Sequence, residues 1–195
     1  MKHDLVLKGG KLVTANETFT ADIGIKGGKI ATLGESLDGY DVINADQKLV
    51  MPGGIEAHCH IAQESGMGVM TSDDYLTGSI SAAFGGNSSF VPFAAQKKGE
   101  SISDTIDEYD RRAETKSVID YSYHLILTDP NQDVLNELPY AFERGITSFK
   151  VFMTYATRVT DAQFLDILTV ARRHGGLTMV HAENHDMLSW MSNAL

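Results

Sequence analysis

The sequence predicts an α/β protein. A small antiparallel β-sandwich segment, residues 1–52, is followed by a run of βα units, residues 53–195, forming the N-terminal part of a (β/α)8 TIM barrel. Three observations carry this. Double glycines separate short alternating runs before residue 50. From Ile55 onward, strand-length apolar runs alternate with helix-length segments that begin on capping residues. Histidines and a lysine stand at or near the ends of three of those runs.

In the first segment, Asp4-Leu5-Val6-Leu7 and Lys11-Leu12-Val13-Thr14 flank Gly9-Gly10. Ala21-Asp22-Ile23-Gly24-Ile25 and Lys29-Ile30-Ala31-Thr32-Leu33 flank Gly27-Gly28. Double glycine between such runs signals a hairpin, so both pairs are expected to be turns. Strand is also expected at 41–45 and 48–51, the segment closing at Pro52-Gly53-Gly54.

Beyond it, strands are expected at 54–58, 87–93, 121–128, 147–153 and 177–181, and helices at 72–84, 101–117, 131–144 and 161–174, with a fifth starting at 183. The N-cap chemistry is supplied by Ser72-Asp73-Asp74, Ser101, Asp129 before Pro130, and Thr160. Gly145 and Gly175-Gly176 stand where helices stop. Strands alternating with helices at this spacing specify βαβ units and a parallel sheet. Pattern alone fits an open sheet of five strands or the front of a barrel, and the motifs favour the barrel.

Composition narrows the function. Lys and Arg total 16 against 26 Asp and Glu, a net charge of -10, and no basic stripe is present. Nucleic acid and anionic membranes are therefore not expected partners. No run of apolar residues is long enough to span a bilayer, and the N-terminus lacks a signal-peptide core. The one cysteine, Cys59, agrees with a reducing compartment, so a cytoplasmic location is expected.

His58 and His60 are two apart, and on a strand both face one side while Cys59 points away. Two imidazoles on one face suit Zn, Ni, Fe or Mn. The plainer alternative is one buried histidine and one turn histidine. Lys150, between Phe149 and Val151, lies in a strand that should be buried. It either snorkels to water or carries an amine with a depressed pKa, able to react with CO2. His181 ends the run 177–180, where a polar residue reads as catalytic; the alternative is a cap for the next helix. Tyr155 is either an oxyanion donor or a loop anchor. Met67 and Met70 lie in a glycine-flanked loop that forms a pocket wall or packs over the rim. His124 reads as a satisfied core histidine, His174 as structural, His185 as surface or supporting, and His3 as uninformative.

In three stretches the chain closely resembles the dihydropyrimidinase/hydantoinase family of cyclic amidohydrolases. They are Met51-Pro52-Gly53-Gly54-Ile55-Glu56-Ala57-His58-Cys59-His60, Thr147-Ser148-Phe149-Lys150-Val151-Phe152-Met153-Thr154-Tyr155, and Met179-Val180-His181-Ala182-Glu183-Asn184. The opening strands are similar too. The resemblance implies two divalent metal ions, taken as Zn2+. His58 and His60 would bind the more buried ion and His181 the second, with Lys150, carboxylated by CO2, bridging them. It further implies Tyr155 as oxyanion stabiliser, Phe152 with Met67 and Met70 shaping the pocket, and a homotetrameric parent. The implied reaction is hydrolytic opening of the ring amide of dihydropyrimidines or 5-substituted hydantoins. The alternative is a non-catalytic relative on the same scaffold, against which stands the presence of all four residues, His58, His60, Lys150 and His181. Family members are longer, and their last histidine ligand and catalytic aspartate come from later strands. A chain ending at the fifth helix is therefore expected to hydrolyse such substrates negligibly by itself.

Overall fold

A computed structural model describes residues 2–65 and 68–195. The chain separates into two compact units, Met1–Gly53 and Gly54–Leu195.

The first unit is one sheet of five strands: β1 (His3–Val13), β2 (Thr18–Lys26), β3 (Lys29–Gly34), β4 (Gly39–Asn44) and β5 (Leu49–Val50). Their order is β3-β2-β1-β4, with β5 also on β1. Gly27-Gly28 is the expected hairpin turn, both residues taking positive φ (57° and 73°) between the antiparallel β2 and β3. Gly9-Gly10 is not a turn. β1 runs unbroken through it, and the register with β2 slips between Leu7 and Gly10, a bulge whose Gly9 has φ 71°. The sheet is also mixed rather than antiparallel throughout, because β4 and β5 join β1 in parallel. Asp22 holds the bulge: its carboxylate accepts from the Gly9 N–H at 2.8 Å and the Leu37 N–H at 3.0 Å. His3 is buried, not an idle terminal residue. Its Nδ1 meets the Asp38 carbonyl at 3.1 Å and its Nε2 the Thr32 hydroxyl at 3.0 Å.

The second unit holds β6 (Gly54–Cys59), α1 (Tyr75–Phe84), β7 (Asn87–Ala95), α2 (Ile102–Ala113), β8 (Asp120–Tyr121), β9 (His124–Ile126), α3 (Gln132–Glu143), β10 (Ser148–Phe152), α4 (Asp161–His174), β11 (Leu177–His181) and α5 (His185–Ala194). Its strands are all parallel, in the order β11-β10-β9-β7-β6, with β8 on β7. This is the half-barrel expected. One core joins it: Phe90, Leu125, Phe149 and Val151 from the strands meet Ile106, Leu138 and Ile167 from the helices. On α2 the buried residues are Ile102, Thr105, Ile106, Tyr109 and Ala113, one stripe at helical spacing.

Local chemistry sets the boundaries. Asp74, Ser101 and Thr160 cap α1, α2 and α4, and Gly175 ends α4 in the left-handed region at φ 74°. The cap of α3 is Asn131 rather than Asp129. Pro130 restrains the residue before it from helical angles, so the helix starts beyond the proline. The strand expected over 121–128 is split into β8 and β9. The gap faces Val91-Pro92 of β7, and proline has no N–H for the ladder.

Candidate active site

The candidate residues gather at the carboxyl ends of the parallel strands, where α/β barrels place their chemistry. His58 lies near the end of β6 and His60 just after it. The ladder to β7 is irregular here: Glu56 pairs with Phe90 and Cys59 with Pro92, so β6 carries an extra residue around Ala57-His58. The His58 N–H freed by this bulge donates to Glu56 Oε1 at 2.9 Å. Bulges re-aim side chains, and here the two imidazoles stand 5.7 Å apart, edge to face. Phe93, 1% exposed, packs both. Its ring is 4.8 Å from His58 and stacks on His60 at 4.7 Å. His60 Nδ1 meets Gln63 Oε1 at 2.7 Å. An amide oxygen can only accept, so the ring proton is on Nδ1 and the Nε2 lone pair is left for a ligand. Cys59 turns toward the core, and burial pushes its thiol up to about 11, with the Glu56 charge adding to this.

Lys150 is half-buried in β10, and desolvation holds its amine below the usual lysine range. Among the described residues no carboxylate pairs with it, and its ammonium lies 5.3 Å from the Phe152 ring centroid. His124, in neighbouring β9, feels both His58 and Lys150. Burial first, and those two charges after it, lower its pKa against the opposing pull of the Ala57 carbonyl. It is the satisfied core histidine expected, bonded to Ser148 Oγ and, at 2.9 Å, to the Ala57 carbonyl.

His181 pairs in register with Phe152 and stacks on its ring at 5.5 Å, with the Tyr155 ring 5.2 Å away. Its Nε2 meets Glu183 Oε2 at 2.7 Å, and the Tyr155 hydroxyl donates to the same oxygen at 3.5 Å. Tyr155 has φ 68°, a left-handed conformation uncommon outside glycine. Such strain persists where surrounding contacts over-determine it, and it clusters at functional sites.

The fold thus forms two groups, His58–His60–Phe93 on one side and Phe152–Tyr155–His181–Glu183 on the other, with Lys150 and His124 on the strands between. Among the described residues no three His, Cys, Asp or Glu side chains converge as a metal cluster. A cavity of about 680 Å³ opens at these strand ends, lined by His60, Met70, Gln96, Ile126, Phe152 and Tyr155 among others. Met67 lies outside the described residues. A second cavity of about 690 Å³ lies beside Tyr123 and Ile146, which precede β9 and β10, and contains none of the candidate residues. Gln63 and Glu183 are contacts that sequence reasoning did not single out, while His185, read there as surface or supporting, bonds Thr154 and Arg158. Of these two, Glu183, two residues from His181, carried a signal.

No family model matches the chain. Among curated relatives, it is 42% identical over 192 residues to a D-hydantoinase of Geobacillus stearothermophilus, covering 96% of this chain and 41% of that protein. It is 32% identical over 195 residues to a dihydropyrimidinase of Rattus norvegicus, covering 95% and 37%. A solved structure of a D-hydantoinase superposes with a TM-score of 0.93 at 39% identity, over 98% of this chain and 42% of that one. An L-hydantoinase of Arthrobacter aurescens, at 23% identity and a TM-score of 0.83, shows the fold alone. The chain spans about two-fifths of the length of the curated relatives it matches. Over its own length, it belongs to the D-hydantoinase/dihydropyrimidinase family, as an N-terminal portion of that fold.

Proposed function

We propose that the protein carrying this chain is a metal-dependent hydrolase that opens the ring amide of 5-substituted hydantoins or dihydropyrimidines. The observation that carries this is Lys150: a half-buried amine, desolvated and, among the described residues, without a carboxylate partner, on the strand beside that of His181. An amine held toward its neutral form adds to CO2, forming an N–C bond and releasing one proton, and the carbamate offers anionic oxygens where the ammonium offered none. Three imidazoles and a carbamate are a donor set that suits Zn2+. The fit is therefore reasonable: His58 and His60 would hold one ion, His181 the other, and Lys150 would serve both. When bound, the metals would make water nucleophilic near neutral pH and polarise the substrate carbonyl.

The chain's own side chains do the rest. The Tyr155 phenol is a hydrogen-bond donor suited to the oxygen on which charge develops. Phe152 and Met70 supply apolar walls for the ring substituent, a role that Met67 shares in this reading. Glu183 orients His181, as Gln63 orients His60. The same reading makes the parent a cytoplasmic homotetramer acting on a small molecule, without nucleic acid or membrane as partner. A lone half-buried cysteine and the net charge of -10 agree with it.

The test is hydrolysis of hydantoin and dihydrouracil by the zinc-loaded full-length protein that carries this chain, beside Lys150→Met. Turnover should fall to background in Lys150→Met while its thermal stability without metal is kept or raised, because an apolar group replaces a desolvated amine. Undiminished turnover in that variant would overturn the proposal.

A further inference from the structure

The loop that carries Tyr155 is closed on itself and fastened to one place. The Val159 N–H donates to the Phe152 carbonyl at 3.0 Å, and the Arg158 N–H to the Tyr155 carbonyl at 3.3 Å. The Met153 N–H donates to the His181 carbonyl at 3.0 Å. Beyond these backbone ties, two loop side chains meet one imidazole, that of His185 in the first turn of α5. Thr154, fully buried, places Oγ1 3.2 Å from His185 Nδ1. The Arg158 guanidinium donates to His185 Nε2, and Ser189 Oγ lies 3.4 Å from the same nitrogen.

A guanidinium has donors and no lone pair, so Nε2 must accept and the ring proton must sit on Nδ1, where it donates to Thr154. The imidazole therefore bridges the two loop residues that flank Tyr155, one with each nitrogen. Tyr155 between them is held at φ 68°, a conformation that costs free energy unless its surroundings impose it. The His185 ring is the side-chain contact on both flanks.

We propose that His185 is a positioning residue for Tyr155. Through Thr154 and Arg158 it fixes the loop that aims the phenol, without touching substrate itself. The inference rests on the reading of Tyr155 as oxyanion donor given above, and goes beyond it by naming what sets the donor's place.

Two measurements test it. In the first, trypsin is added to the folded protein and cleavage after Arg158 is followed by mass. His185→Leu should speed that cut selectively, whereas His185→Gln, whose amide can both donate and accept, should restore protection. Thr154→Val, nearly isosteric, removes only the Nδ1 bond and should give an intermediate rate. It also stands in should His185→Leu fail to fold. In the second, made on the full-length protein that carries this chain, His185→Leu should lower kcat about tenfold or more with KM little changed, the signature of an interaction made in the transition state. In a Tyr155→Phe background the same change should cost nothing further, because residues acting as one unit are non-additive. Multiplying losses, or cleavage after Arg158 unaltered by either variant, would overturn the proposal. A Tyr155→Phe enzyme with full activity would instead sink the oxyanion reading, while the proteolysis result still reports on the clamp.

Discussion

Replacing Phe93 by alanine should destabilise the barrel unit by about 4 kcal/mol, the middle of the range for emptying a buried phenylalanine site. Phe93 is 1% exposed, and its ring contacts His58, His60 and His124 at centroid distances of 4.8, 4.7 and 5.3 Å. Ala94 and Ala95 beside it are too small to fill the space, and β7 is held between β6 and β9, so collapse is restricted. Scanning calorimetry should register a fall in Tm of about 8–16 °C for a protein of this size. Phe93→Leu keeps most of the volume and should cost under about 1.5 kcal/mol. That milder variant separates packing from function, since the imidazoles lose their aromatic neighbour while the strand stays in place. On the metal-site reading proposed above, zinc affinity, read by competition with a chromophoric chelator, should weaken in Phe93→Leu more than stability does. A Phe93→Ala loss below about 1 kcal/mol, close to the range of surface changes, would refute the packing argument.

Two smaller predictions concern local devices. The Asp22 carboxyl is held below its usual range, first by the Gly9 N–H and then by that of Leu37. Its stabilisation is therefore present above the ordinary carboxylate pKa and is lost as pH falls through the lowered value. Acid unfolding of the first sheet should start at lower stability and be less steep in Asp22→Asn; superimposable acid limbs would argue against this. Thr160 accepts from the Gln163 N–H at 3.3 Å while the Gln163 side chain accepts from the Thr160 N–H at 2.9 Å, a reciprocal cap on α4. Thr160→Ala should cost about 1 kcal/mol in urea melts, with Thr160→Ser close to wild type; equal stability of all three would remove the cap from the account.

Elements governed by neighbouring residues were legible in the sequence. Caps at Ser101 and Thr160 and the stop at Gly175 depend on groups within one turn of chain, so residue type and spacing suffice. Gly27-Gly28 and Gly9-Gly10 look alike as dipeptides, yet one is a turn and the other a bulge. The difference lies in the partner strand: β2 follows β1 only after residues 14–17, so Gly10 is paired with Ala21 of β2 and the bulged Gly9 is tied to the Asp22 side chain rather than free to reverse the chain. His3 became a core residue for the same reason, since both its partners, Thr32 and Asp38, are distant in sequence.

The candidate site divides along that line. Residue types marked the candidates, because His-x-His on a strand, a lysine among apolar neighbours and a histidine at a strand end are local patterns, and the family resemblance supplied the roles they would play. Only the tertiary structure decided what each of them touches. Phe93 stacked on His60 and His185 gripping both flanks of Tyr155 are contacts between separate βα units, while Gln63 on His60 and Glu183 on His181 are short-range pairs whose side-chain directions only the folded loops set. Parallel strands bring such segments side by side at one end of the sheet, and a linear pattern does not record which side chains meet there.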